Sequence, residues 1–169
     1  PYIKKYIDIL GIKRLELDEF EADDIIGTMS KKAKDYFDEV MIISGDKDLL
    51  QLVGDNVKVC LTKKGISDLE EYNKDNFASL MGFSASQMTD YKALIGDSSD
   101  NLPGLSGVGP KTAVKLLESY QTIENIISHV DELKGKLQET VKNEAERKDC
   151  GMDVSGNQRL LYEKMYFSE

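Results

Sequence analysis

Val40-Met41-Ile42-Ile43-Ser44-Gly45-Asp46-Lys47-Asp48, read together with the Leu49-Leu50-Gln51-Leu52-Val53 that follows, decides the fold. Apolar side chains at successive positions, ended by Ser-Gly, describe a short strand that is apolar on both faces. Such strands belong to parallel sheets covered by helices. Two acids stand directly after the strand, where ligands collect in open α/β sheets, and KDLLQLV then makes a short helix. Outward from this point the pattern repeats. VKVCLT, residues 57–62, is a second strand, ended by the turn KKG at 63–65. On the other side Ala22, Ile25, Ile26, Met29, Ala33, Tyr36 and Phe37 recur at helical spacing, a helix of about 15 residues. IKRLELD, residues 12–18, alternates like a strand, and YIKKYIDIL is a helix closed by Gly11.

Residues 12–62 therefore read strand, helix, strand, helix, strand: an α/β fold with a partial parallel sheet and covering helices. After residue 70 the character is helical, in segments punctuated by Gly, Ser and Pro. The expected organisation is an α/β core over residues 1–70, a helical region over 71–135, and a tail over 136–169 that carries no motif. No heptad or solenoid repeat runs through the helical half.

The chain has 169 residues, 40% of them apolar, enough for one compact domain or a domain with a small helical satellite. Nothing approaches the roughly 18 consecutive apolar residues of a membrane span, so no membrane partner and a cytoplasmic protein are expected. Cys60 and Cys150 lack metal or disulfide spacing, and Cys60 in VKVCLT reads as a buried strand residue. Residue 1 is Pro rather than Met, so a fragment, a processed product or an incomplete sequence is expected. The formal charge of −9 argues against an indiscriminate polyanion binder. That argument weakens if the acids are gathered to hold cations, which reverse the local sign.

The acids do fall in groups: Glu21, Asp23 and Asp24; Asp46 and Asp48; Asp97 and Asp100. Each group has an ordinary explanation. Acids favour the first turn of a helix, SGDKD suits a turn and helix cap, and GDSSDN is built of turn residues. None of these explains why all three groups stand at element junctions, where side chains turn inward together. Seven carboxylates brought together without cations would repel one another and raise their own pKa values. Hard divalent ions take oxygen ligands, and two of them assist phosphoryl chemistry.

After the third group comes LPGLSGVGPKTAVKLL, residues 102–117. Gly104, Gly107 and Gly109 permit a tight turn, and Pro110 suits the first helical position. The helix start presents backbone N–H groups to a phosphate, with Lys111 and Lys115 adding charge. Gly107, Val108, Gly109, Lys111, Thr112 and Lys115 thus make a helix-hairpin-helix signature, which holds the backbone of DNA rather than its bases.

EADD, SGDKDLLQL, LIGDSSDNLPG and GVGPKTA, in this order and spacing, closely resemble the 5′-nuclease (flap endonuclease) domain found at the N-terminus of bacterial DNA polymerase I. The likeness runs from about residue 1 to 135. It implies that Glu21, Asp23 and Asp24 serve one Mg²⁺ or Mn²⁺ ion and that Asp46, Asp48, Asp97 and Asp100 serve a second. Asp46, Asp48 and Asp100 are the strongest assignments, with Glu21 and Asp23 completing the catalytic set and Asp97 acting through water. It also implies a K⁺ ion bridging the backbone around Leu105 to Val108 and a phosphate. The partner implied is DNA with a 5′ flap, nick or end; a following polymerase domain is a further expectation, and a monomer is expected.

Family members begin with a strand carrying another ligand Asp and then a basic arch. Neither motif is present in this sequence, so the chain alone is expected to be inactive or weak. Rival readings are a non-catalytic duplex-binding module, a PIN-like ribonuclease and a small-molecule phosphatase; the last two leave GVGPKTA unexplained. Lys92, on the helix before the third group, could approach a phosphate but reads more readily as a solvated surface lysine, and His129 reads as a surface residue rather than a ligand or a base. At about 100° per residue, Glu21 and Asp24 are neighbours on a helix and Glu21 and Asp23 are not. If Glu21 and Asp23 share an ion, Glu21 must lie off the regular helix.

Overall fold

The computed structural model describes residues 2–63, 67–98 and 102–145. Strand β1 (Val40–Ser44) pairs in parallel with β2 (Val57–Thr62), Val40 opposite Val57 and Ile42 opposite Val59. Both strands lie where the apolar runs place them. A third strand, β3 (Leu69–Tyr72), runs antiparallel to β2, so the sheet is mixed, in the order β1-β2-β3. LEEY is too short and too acidic to announce itself. Glu71 stays on the surface, Glu70 is half-buried and Tyr72 is buried. β3 also crosses the boundary expected at residue 70.

β2 is the central strand, with Val59 fully buried and Cys60 buried beside it, as its setting in VKVCLT suggests. β1 differs from its reading as a strand covered on both faces. It lies at the sheet edge, where Ile42 faces the core while Met41 and Ile43 remain 49% and 61% exposed. The strand expected over 12–18 does not form. Ile12, Leu15 and Leu17 are exposed, and alternation makes a strand only where another strand offers its edge. That segment instead lies against helix α1 (Tyr2–Ile9), through Lys4–Glu16 at 2.7 Å and Arg14–Asp8 at 3.3 Å. Gly11 takes the positive φ of a helix terminator.

Helix α2 (Ala22–Ala33) stops short of Tyr36 and Phe37, which are exposed. KDLLQLV forms a 3₁₀ helix over Asp48–Leu52 and sends Leu49 and Leu50 into the core. The turn at 63–65 lies only partly within the described residues.

The second half is helical, as its punctuation indicates: α3 (Phe77–Met81), α4 (Met88–Ile95), α5 (Pro110–Tyr120), α6 (Ile123–Ser128) and α7 (Gly135–Ala145). Between α4 and α5 a two-residue ladder pairs β4 (Gly96–Asp97) with β5 (Leu102–Pro103). The tail expected over 136–169 is thus helical to Ala145; its remainder, with Cys150, lies outside the described residues. Gly82 ends α3 at φ 82°, and a Cβ there would stand 2.8 Å from Val114 of α5.

The core is continuous across both halves. Leu49, Leu50 and Val59 join one apolar cluster with Phe77, Leu94 and Leu117. Asp90, buried on α4, accepts from the Ile123 backbone N–H at 3.4 Å and ties α4 to α6. Because one cluster spans the chain, Leu117→Ala is expected to destabilise the whole molecule by about 2–5 kcal/mol. In urea, tyrosine fluorescence and far-UV circular dichroism should shift together to a lower midpoint; separate transitions would show two independent units.

Candidate metal and nucleic-acid site

The loop after β1 is shaped by its own polar side chains. Asp46 N–H donates to Ser44 Oγ at 3.0 Å, and Asp48 N–H donates to Asp46 Oδ1 at 2.9 Å. Part of SGDKD is therefore a turn and cap. The remaining chemistry points across the molecule. Asp48 opens the 3₁₀ helix and turns toward α4, where the Lys92 ammonium bonds its Oδ1 and, at the same time, Oδ2 of Asp97 on β4.

The three side chains are almost dry: Lys92 and Asp48 are 13% exposed and Asp97 is 11%. Burial pushes the Asp48 carboxyl above its ordinary range; the Lys92 ammonium opposes that shift, and the nearby Asp46 and Asp97 charges add to it. Asp48 and Asp97, from distant parts of the chain, thus meet on one positive charge. Asp100 lies outside the described residues.

Lys92 is not the solvated surface residue that the sequence suggests. It stands one helical turn after the buried Met88, on the α4 face that packs against the 3₁₀ helix, and its stem is covered while its charge is paired. That i, i+4 spacing from an apolar residue is the signal that could have found it. His129 is exposed, as expected, its Nδ1 lying 2.9 Å from the Asn125 carbonyl.

EADD starts α2. Glu21 is the N-cap, with extended φ −82° and ψ 164°, so it does lie off the regular helix. Its N–H donates to Asp24 Oδ2 at 3.0 Å, completing a capping box in which each acid satisfies the other's backbone. Asp23 is half-buried in the first turn. The structure gives Glu21 and Asp24 to the helix start. Among the described residues, no three His, Cys, Asp or Glu side chains stand close enough together to hold a metal ion.

The hairpin is built by one close approach. Gly104 packs on the backbone at the end of α4, where a Cβ would lie 2.6 Å from the Ile95 carbonyl oxygen and closer still to Ile95 C and Gly96 N. Leu105 N–H then donates to the Leu94 carbonyl at 2.9 Å, and Val108 N–H to the Leu105 carbonyl at 3.0 Å. Gly107 turns the chain at φ 78° with open space around it. Gly109 has ordinary extended geometry and is likewise uncrowded, so local packing does not demand a glycine there.

Leu105 and Val108 are buried, so Val108 offers a ligand only its backbone. Thr112 and Ala113 N–H groups both bond the Gly109 carbonyl at 3.0 Å. The N–H groups of Gly107, Gly109 and Lys111 meet no acceptor among the described residues. Lys111 and Lys115 are exposed on the same helix. From the far side, Glu144 of α7, 9% exposed, accepts the Ser106 N–H at 3.1 Å. Nothing in the tail sequence marks this brace.

Two family models meet end to end on this chain: the N-terminal resolvase-like domain of 5′-3′ exonucleases matches residues 1–82, and their C-terminal SAM fold matches residues 83–154. The chain belongs to the 5′-3′ exonuclease family. DNA polymerase I of Bacillus subtilis (strain 168) is 48% identical over 137 residues, covering 80% of this chain but 16% of the polymerase. A 5′-3′ exonuclease of Mycoplasma pneumoniae is 44% identical over 139 residues, covering 82% of this chain and 48% of that protein. The chain therefore spans about half or less of the length of these exonuclease-family relatives. The fold matches that of the bacteriophage T5 D15 flap endonuclease, solved with DNA and metal ions, at a TM-score of 0.75 and 22% identity over 95% of this chain and 57% of that one.

In this family member the Gly104 approach fixes both the hairpin and β4, so Gly104→Ala should lower the melting temperature by several degrees, about 2–4 °C for each kcal/mol lost. Gly109→Ala, in open extended backbone, should leave it within about a degree. Differential scanning fluorimetry of the two variants separates them.

Proposed function

We propose that the chain supplies the acidic and duplex-gripping parts of a 5′-3′ exonuclease or flap endonuclease that hydrolyses DNA phosphodiesters near a 5′ end in replication and repair. The observation that carries this reading is the convergence of Asp48 and Asp97 on one cation, beside a hairpin with outward N–H groups. The donors are hard carboxylate oxygens, and two of them already share a positive charge, so they suit Mg²⁺ or Mn²⁺. Asp46, Asp48, Asp97 and Asp100 would hold one ion; Glu21, Asp23 and Asp24 would hold the other, with Asp24 giving up its bond to Glu21. Bound there, the ions supply an activated water and stabilise the leaving oxygen.

The chain's own residues bind and orient the substrate. N–H groups of Gly107, Gly109 and Lys111, with the ammonium groups of Lys111 and Lys115, hold successive phosphates and bring a 5′ flap, nick or end to the carboxylates. Thr112 stands at the same helix start. Carbonyls from Leu105 to Val108 would hold K⁺ against a phosphate. The kinship with DNA polymerase I supports a following polymerase domain and a bacterial cytoplasmic setting, with the chain acting as a monomer. No helix among the described residues is long and apolar enough to cross a membrane.

A second reading, duplex binding without cleavage, is favoured by the use of the Glu21 and Asp24 carboxylates in capping α2. A labelled 5′-flap duplex tests both. Lys111→Ala/Lys115→Ala should weaken binding and reduce the magnitude of the slope of log K against log salt by about two. Asp46→Asn/Asp48→Asn should leave binding within a few-fold and reduce any Mg²⁺-dependent cutting by at least about a hundredfold. Unchanged binding in the lysine variant would remove the hairpin from the site, and normal cutting by the aspartate variant would remove the carboxylates. Tight binding with no cutting under any divalent ion, by the full-length protein as well as by this chain, would establish the second reading.

A further inference from the structure

Lys92 is a buried cation in a place where a cation has a second use. Its ammonium bonds Asp48 and Asp97 together, and all three side chains are at most 13% exposed. An ammonium taken out of water is costly unless its charge and hydrogen bonds are met, and two carboxylates brought together repel unless a positive charge stands between them. The three groups are therefore interdependent. The positive charge between the two carboxylates is the protein's own.

An ammonium and a divalent ion cannot both lie between the same two carboxylates. At about 4 Å two like charges repel by several kcal/mol even at an effective dielectric near 20. We propose that Lys92 is a resident counter-cation, holding Asp48 and Asp97 together when no divalent ion is bound, and that ion binding is an exchange in which Lys92 leaves them. The role is that of a positioning residue: it keeps two ligands in place and sets the affinity of the ion that replaces it. The inference rests on the metal reading above, and its test separates the two.

The first measurement uses the unaltered chain. Amine acetylation, followed residue by residue by peptide mass spectrometry, should leave Lys92 poorly labelled without Mg²⁺ and label it several-fold faster at saturating Mg²⁺. Lys74, exposed on the surface in a salt bridge with Asp55, serves as the unchanged reference. The second uses Lys92→Met, which keeps the apolar stem. Its metal-free melting temperature should fall, and its Mg²⁺ midpoint for thermal stabilisation should move about tenfold lower. If Mg²⁺ stabilises the chain while Lys92 labelling stays constant, the exchange is wrong and the metal reading stands. If Mg²⁺ neither binds nor stabilises, both fall together. A Lys92→Met variant with unaltered melting and midpoint also overturns the exchange, and should that variant fail to fold, the labelling of the unaltered chain decides alone.

Discussion

Carboxylates cannot be gathered in a dry place without a positive charge among them, and in this molecule that charge belongs to Lys92. The link from Asp48 to Asp97 through its ammonium joins the end of the α/β half to the start of the hairpin. Around it the packing is arranged to hold three backbones still. Leu49 and Leu50 anchor the 3₁₀ helix that carries Asp48, Met88 and Leu94 anchor the helix that carries Lys92, and Gly104 clamps the ladder that carries Asp97. The apolar core therefore fixes the geometry of a polar site at its margin. An ion pair this buried contributes little net stability, so its significance lies in which groups it keeps together.

Much of this was legible in the sequence because the signals were local. VMIIS and VKVCLT are strands by the run of their apolar residues, and EADD and GVGPKTA are helix starts by their cap and proline chemistry. Helix angle put Glu21 off the helix only on the condition that it shares an ion with Asp23; the structure makes it the N-cap. What failed depended on partners distant in the chain. The segment 12–18 alternates correctly but meets no strand edge among the described residues, β3 is a strand only because β2 offers one, and β1 occupies an edge that its composition does not announce.

The site shows the same division. That acids gather at element junctions was readable from type and position, whereas their pairing was not. Lys92 reads as a surface lysine unless its i, i+4 spacing from Met88 is weighed; the arrival of the 3₁₀ helix and the β4 ladder makes it an interior charge. Conversely, Glu21 and Asp24 satisfy one another at the start of α2, a local use that was visible in the sequence and that the structure adopts.

The bond between Glu144 and the Ser106 N–H gives the hairpin a second support, from the helix that closes the described chain. The loop is clamped by Gly104 on the side of the acids and by α7 on the other, like a plank held at both ends. A shift of α7 along its axis would act on the loop through Ser106, on the side away from the Gly104 contact. The loop's two supports thus come from opposite sides of one short segment.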